Sequence, residues 1–149
     1  MTDDLIKLAE RCESATGADR ALDGVVHILA NPDKPWIVGH KPGRFPQEAI
    51  HGTLSEYLEW AVGLCDNPDP HRRADVADSI GAPAYTASID AALTLVGSLP
   101  WGMTADPAHG AVAHVDCNRA EAATPALALT AAALRARASD ATSKETGNG

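Results

Sequence analysis

Residues 83–96, PAYTASIDAALTLV, and residues 121–138, EAATPALALTAAALRARA, enclose the stretch that decides the fold. Both carry apolar side chains at helical spacing. Gly97 follows the first stretch, where glycine commonly ends a helix. In the second stretch, Thr124 followed by Pro125 is typical of a helix start, with threonine as the N-cap and proline at the first helical position. Two helices are therefore predicted, one on each side of a short apolar segment.

Two strands are predicted in that segment, at 101–104 and 111–117, joined through a loop at 106–110. Alternate residues of a strand point to opposite faces of a sheet. One face of the second strand is small and apolar, and we expect it to meet the helices; it comprises Ala111, Ala113, Val115 and Cys117. Cys117 is thus expected to be a buried thiol. The order helix, strand, strand, helix predicts an α+β fold with helices packed on a small, mainly antiparallel sheet.

The first half of the chain predicts more helix. One helix follows Thr2, and a second is capped by Asp19 and ends at Asn31, before Pro32. Four prolines between residues 32 and 52 forbid a helix there and leave one short strand at 36–38. Further helices are predicted after Thr53 and, in a polar stretch, at 71–80; Thr86 or Ser88 caps the helix that includes Ile89.

The length of 149 residues fits one domain, predicted to span 1–138. Alanine supplies much of the 45% hydrophobic content and aromatics only 4%, which predicts a core of small side chains on tightly packed helices. The tail 139–149 has no apolar side chain larger than alanine, so we expect it to be disordered. The acidic start, and the lack of an apolar run of about 20 residues, predict no export signal and no membrane association.

The formal net charge of −8 argues against direct binding to nucleic acid, because the basic residues are not segregated on one stretch. The three cysteines are far apart and in no paired spacing, which indicates reduced thiols rather than a disulfide framework or a zinc site. The sequence contains no phosphate-binding glycine loop, no nucleophile elbow and no zinc-protease motif. We therefore predict no cofactor, no metal, no catalytic residue and a non-enzymatic protein.

The segment HKPGRFP, residues 40–46, is the most suggestive binding surface. It concentrates basic and aromatic side chains in a chain that is otherwise acidic and poor in aromatics. Arginine beside an aromatic ring can hold an anion or a stacked base. The alternative is that the aromatic rings pack the loop onto the core. The predicted ligand-binding or partner-binding residues are Trp36, His40, Lys41, Arg44, Phe45 and His51.

A second, weaker pattern lies near the predicted hairpin. His114 and Asp116 fall on the same face of the second strand, and His109 is close in sequence. Imidazole nitrogens and a carboxylate are suitable ligands for a divalent metal. A half-exposed polar strand face gives the same pattern without any metal, and the sequence leaves both interpretations open.

The chain resembles the phage ABA sandwich domain family of small bacteriophage and prophage proteins. The resemblance is carried by LIKLAERCESATGADRALDGVV at residues 5–26, and by the two stretches at 83–96 and 121–138 around the predicted hairpin. It implies helices packed on a small sheet, and a phage or prophage origin. The family has no catalytic signature, so the resemblance transfers no active-site residue. Residues 41–82 are longer than the family pattern and form a family-atypical insertion.

The resemblance and the absence of catalytic motifs together predict an accessory protein that acts in the bacterial host cytoplasm. We expect it to bind and inhibit a host protein, with an immune-system component as the specific candidate. One alternative is a protein that sequesters a small anion such as a cyclic nucleotide through Trp36, Lys41 and Arg44. Another is a virion or assembly component. The sequence leaves the oligomeric state open, a homodimer being one option.

Overall fold

The computed structural model describes residues 2–33, 36–40, 49–52 and 54–146, with side chains described over 2–33 and 58–141. These ranges form six helices and five strands. The helices are α1 (Thr2–Ser14), α2 (Arg20–Ala30), α3 (Leu54–Leu64), α4 (Pro70–Ile80), α5 (Ile89–Val96) and α6 (Pro125–Thr146). The strands are β1 (Trp36–His40), β2 (Ala49–Gly52), β3 (Trp101–Asp106), β4 (Gly110–Val115) and β5 (Asn118–Ala122). The predicted α+β class is confirmed.

The helix starts follow the capping residues that the sequence offers. Asp19 accepts a hydrogen bond from Ala21 N at 3.0 Å and so caps α2, as predicted. Thr124 caps α6 through its hydroxyl, 3.3 Å from Leu127 N. Of the two candidates for α5, Ser88 is the cap. The hydroxyl of the other candidate, Thr86, instead contacts Asp19 and Asp23.

A three-stranded antiparallel sheet of order β3-β4-β5 forms the β layer. The predicted hairpin is present: β3 ends at Asp106 and β4 begins at Gly110, whose φ of 84° is accessible to glycine. The prediction that β4 continues to Cys117 is wrong. Asp116 adopts a left-handed conformation with φ 55°, which turns the chain into β5, a strand that the sequence reasoning missed. Cys117 lies in this turn and is exposed, so the prediction of a buried thiol is wrong too.

The core lies between α6, the sheet and the other helices. Helix α6 packs against α1 on one side and against α5, β4 and β5 elsewhere. Its buried residues are mostly alanine, with Leu127, Leu129 and Leu134 fully buried among them. Facing them, Ala111, Ala113 and Val115 of β4 are buried, as the alternation predicted. Small side chains on both surfaces allow the helix and the sheet to approach closely, which confirms the predicted small-residue core.

The segment 41–82 contributes two helices to the same core. Ala61 of α3 and Val76 and Ala77 of α4 are buried. Helix α4 packs directly on α2, where Gly24 lies against the backbone of Ala77. These helices are thus part of the packed domain. Strands β1 and β2 form a separate two-stranded antiparallel sheet that packs against α3; the sequence predicted only part of β1.

The end of the chain departs from the prediction. Helix α6 continues to Thr146, so the prediction of a disordered tail from Ser139 is wrong over those residues. Once a long helix is nucleated on a packed core, each added residue gains one hydrogen bond for one ordered residue, and the helix extends into polar sequence. Ser139 also donates to Asn118 Oδ1 at 3.1 Å, which links α6 to β5. Residues 147–149 lie outside the described residues.

Candidate functional site

The residues predicted to bind a ligand or partner fall on and between two paired strands. Trp36 and His40 lie at the two ends of β1, and His51 lies within β2. The ladder pairs Ile37 with His51, and its register shifts before Gly39. Pairing therefore brings residues that are far apart in sequence into one two-stranded unit.

The segment 41–48, between these strands, carries the other three predicted residues. Lys41, Arg44 and Phe45 lie outside the described residues, and for Trp36 and His51 the description covers the backbone alone. What the topology establishes is that 41–48 connects the paired ends of β1 and β2. We call residues 36–52 the binding hairpin.

A cavity of about 230 Å³ lies close to the helix on which the binding hairpin packs. Its walls come from α1, α2 and α3, together with Cys65. Its apolar floor is formed by Leu8, Val25, Leu29, Leu58 and Val62, and charged residues at its rim are Asp4, Lys7 and Arg11. Arg11 lies 3.6 Å from the carboxylate of Asp66. The cavity is therefore a mainly apolar gap between helices with one cation already paired.

A buried polar network joins α2 to the segment before α5. Asp23 is only 2% exposed. One of its oxygens accepts hydrogen bonds from both the backbone N–H and the hydroxyl of Thr86, each at 2.8 Å. Its other oxygen lies 3.3 Å from Arg20 Nη1. Burial raises the pKa of Asp23, while the hydrogen bonds from Thr86 and Arg20 oppose that shift.

The backbone of Asp19 completes this network. Its N–H donates to Thr86 Oγ1 at 2.8 Å, and its carbonyl oxygen lies 3.1 Å from the same hydroxyl. Tyr85, next to Thr86, is held in turn by Thr130, whose hydroxyl donates to the Tyr85 carbonyl at 3.0 Å. Residues 83–88, which we call the PAYTAS segment, are therefore held to α2 and α6 by hydrogen bonds. We call Asp19, Arg20, Asp23 and Thr86 the Asp23 network.

A surface cleft of about 550 Å³ opens beside this network, lined by residues 14–20 together with Pro70 and Arg73. Two arginines border it and suggest an anion site. Arg73 pairs with Asp19 and donates to the carbonyls of Cys65 and Asn67, while Arg20 pairs with Asp78 at 3.1 Å. Protein oxygens already accept hydrogen bonds from these guanidinium groups. The two arginines therefore link α2 to α4 and have a structural role.

Sequence reasoning missed the Asp23 network. The available signal was an acidic residue within an otherwise apolar stripe of α2, where Leu22, Val25 and Val26 are buried. An aspartate in such a position needs hydrogen-bond donors, because burial of an unpaired carboxylate is costly. The sequence alone does not name the donor, since Thr86 lies 63 residues away.

Tyr85 and His27 form a second polar contact on the same side of α2. The Tyr85 hydroxyl lies 3.0 Å from His27 Nδ1, and Tyr85 is 3% exposed. Burial raises the pKa of the Tyr85 phenol. Asn31 Nδ2 donates to the His27 carbonyl at 2.9 Å. The contact joins the last turn of α2 to the PAYTAS segment.

The possible metal ligands His109, His114 and Asp116 do not all lie where the predicted strand would place them. His109 lies in the β3–β4 turn, with Nδ1 2.8 Å from the carboxylate of Asp106, and this hydrogen bond lowers the pKa of Asp106. His114 is on β4, whereas Asp116 lies beyond its end in the left-handed turn. Over the ranges that the structure describes, no three histidine, cysteine or acidic side chains are grouped to hold a metal ion.

The three cysteines are free thiols in different surroundings. Burial raises the pKa of Cys12 to about 12 and that of Cys65 to about 11. Neither thiol forms the reactive thiolate near neutral pH. Cys117 is exposed in the β4–β5 turn.

Comparison with known proteins gave no relative: no family model, no curated protein and no solved structure matches the chain. Among the described residues, no helix is both long enough and apolar enough to span a bilayer.

Proposed function

We propose that this chain is a non-enzymatic accessory protein of a phage or prophage, similar to the phage ABA sandwich family, that binds and inhibits a host protein in the bacterial cytoplasm. A component of a bacterial immune system is the specific target that we propose. The observation that carries the proposal is the antiparallel pairing of β1 with β2, which brings Trp36, His40 and His51 into one two-stranded unit.

The composition of the binding hairpin supports a role in recognition. Residues 36–52 hold Lys41 and Arg44 and two of the six histidines, but only one acidic residue, Glu48, in a chain whose net charge is −8. Aromatic residues and arginine are enriched where proteins bind one another, because both bury large areas and form directed contacts. A basic, aromatic loop on an acidic body gives a partner both an anchor and an electrostatic orientation.

The cleft beside the Asp23 network supports the same choice. The arginines that border it, Arg20 and Arg73, are engaged with protein oxygens. A ligand at that cleft would have to displace contacts that hold α2 and α4 together. Binding at the hairpin leaves the Asp23 network intact.

The test is capture of the host partner by the full chain from a lysogenic or phage-infected host, followed by native mass spectrometry. We expect a stoichiometric complex with a host protein that weakens as salt rises. The double variant Lys41→Ala/Arg44→Ala should lose the complex and the ability to protect phage in a plaque assay. The matched control, Arg72→Ala/Arg119→Ala, removes the same charge from exposed positions and should retain both.

Other outcomes would replace the proposal. A retained small anion without a host protein, lost in Arg44→Ala, would identify a sequestering protein. A large stable oligomer without a host partner would identify a virion or assembly component. Equal capture by the two double variants would show that the binding hairpin is not the interface.

A further inference from the structure

Strand β3 is a terminal strand of the three-stranded sheet. On its inner side it pairs with β4 from Trp101 to Asp106 without a bulge. Within the part of the chain that the structure describes, no strand pairs with its outer side. An uninterrupted outer edge offers a row of backbone donors and acceptors to another strand.

The hydrogen-bond pattern identifies which residues present those groups. Asp116 N donates to Pro100 O at 2.8 Å, so these two residues form a hydrogen-bonded pair of the β3–β4 ladder. In an antiparallel ladder such pairs alternate with non-hydrogen-bonded pairs. The backbone groups of Gly102 and Thr104 therefore face β4. Those of Trp101, Met103 and Ala105, which we call the outer triad, point to the free edge.

The side chains of the outer triad lie on the face of the sheet that forms the core. In the ladder, Trp101 lies opposite Val115, Met103 opposite Ala113 and Ala105 opposite Ala111, and directly opposed residues share a face. The β4 residues are buried under α6, but Trp101 is 48% exposed and Ala105 is also exposed. The apolar face of the sheet therefore extends at β3 beyond the area that α6 covers.

The opposite edge of the sheet is protected. Strand β5 carries Arg119 and Glu121, which form an ion pair at 2.6 Å, and α1 packs beside it. From Trp101 to Ala105, β3 carries no charge. Charged side chains and covering helices are the usual means by which edge strands avoid pairing. The contrast marks the outer edge of β3 as the side of the sheet that is open to a further strand.

We propose that β3 pairs antiparallel with β3 of a second copy of this chain, about a two-fold axis through Met103. This register pairs Met103 with Met103 of the other copy, and Trp101 with its Ala105, so that the whole outer triad exchanges backbone hydrogen bonds. An axis through Gly102 or Thr104 would leave one member of the triad without a partner. The pairing joins two three-stranded sheets into one continuous sheet.

The side chains match this symmetry. Residues at equal distance from Met103 are one large and one small, so each exposed Trp101 indole lies over the exposed Ala105 of the other copy. On the other face, Gly102 and Thr104 are related in the same way. Each protomer carries a charge of −8, yet no charged pair is opposed within the paired stretch, so like-charge repulsion is absent where the strands meet. A self-complementary edge favours a second copy over an unrelated strand.

The first test is sedimentation velocity of the full-length protein over a concentration series. We expect a dimer that dissociates on dilution. Met103→Lys places two like charges on the axis and should give a monomer with an unchanged circular dichroism spectrum. The matched control Ala123→Lys adds the same charge at an exposed position just beyond β5 and should remain dimeric. Wild-type protein that is monomeric at every concentration overturns the proposal, as does a Met103→Lys variant that stays dimeric.

Met103 is partly buried, so a second measurement is needed if the lysine variant fails to fold. Trp101→Ala should fold and weaken the dimer at least tenfold, because it removes the largest apolar contact across the axis. In a Cys117→Ser background, Met103→Cys should form a disulfide-linked dimer on mild oxidation. Thr104→Cys should not, because in this register the two introduced thiols are diagonal rather than opposed. Efficient cross-linking through Thr104→Cys alone would overturn the register.

Discussion

Asp23 and Leu134 are buried to the same degree, but their surroundings have opposite chemistry. Leu134 is fully buried in α6, which packs against α1, α5, β4 and β5 through apolar side chains. Asp23 is enclosed by hydrogen-bond donors from Thr86 and Arg20. The apolar contact tolerates small displacements because dispersion is not directional, whereas the polar contact is satisfied in one arrangement only. The Asp23 network thus fixes the position of the PAYTAS segment, and the apolar core supplies most of the burial.

The largest change in the free energy of unfolding is expected for Asp23→Ala, which removes the buried carboxylate. The change removes the acceptor of the buried Thr86 N–H, while the Thr86 hydroxyl retains only Asp19 O, and Arg20 loses one of its two carboxylate partners. We expect a loss of about 4 kcal/mol in the free energy of unfolding, measured by urea denaturation at neutral pH. Asp78→Ala is the control: it removes the exposed partner of Arg20 and should cost less than about 1 kcal/mol. Equal effects of the two changes would contradict the assigned role of the network.

The apolar side of the comparison is tested by Leu134→Ala. It leaves a cavity in the alanine-rich core, which a closely packed helix cannot collapse to fill, and we expect a loss of about 3 kcal/mol. Leu93→Ala in α5 is the control, since Leu93 is only partly buried and its removal should cost about 1 kcal/mol. Thermal or urea denaturation of both variants provides the measurement. A larger loss for Leu93→Ala would place the main core elsewhere.

Alanine substitutions at two glycines distinguish the effect of close packing on stability from the effect of helix propensity. An added Cβ at Gly24 would lie 3.2 Å from Ala77 N and 3.3 Å from Val76 Cγ1, whereas at Gly63 nothing lies within 4 Å. We expect Gly24→Ala to destabilise the protein by about 1 kcal/mol, because the overlap with α4 exceeds the gain in helix propensity. Gly63→Ala should stabilise by about 1 kcal/mol, since only the propensity changes. Chemical denaturation of both variants measures the difference; stabilisation by both would show that α2 and α4 can separate without cost.

The smallest expected effect is a pH dependence of the Asp23 network. Its pKa is raised in the folded protein, so the folded state binds the Asp23 proton more tightly than the unfolded chain does. The stability contributed by Asp23 is therefore full below its unfolded pKa of about 3.8 and declines as pH rises through the raised value. The stability difference between wild type and Asp23→Ala should be larger at pH 4 than at pH 7. A difference that grows as pH rises would mean that the hydrogen bonds outweigh burial.

Local chemistry made much of the helical framework predictable. Asp19, Thr124 and Gly97 end or begin helices where their conformational preferences require, and the strand alternation identified the buried face of β4. These features depend on neighbours within about four residues, so the sequence carries them directly.

The sequence-based predictions fail where contacts between residues distant in sequence determine the structure. The left-handed turn at Asp116 directs the chain into β5, and β5 is stabilised by pairing with β4 rather than by strand propensity. Helix α6 extends past Ser139 because it is already nucleated on the core. The role of Asp23 depends on a donor supplied by Thr86, far along the chain. The binding hairpin was predicted by composition, and its side-chain role stays a prediction.

The position of α6 also has a consequence for synthesis. This helix is made after all the other described elements, yet α1, α5, β4 and β5 all pack against it. A nascent chain that has not yet released residues 125–146 from the ribosome holds the apolar faces of α1 and the sheet without their common cover. The tertiary core can therefore form only after translation of α6 is complete, and pausing just before Pro125 would prolong exposure of the surfaces that are most able to aggregate.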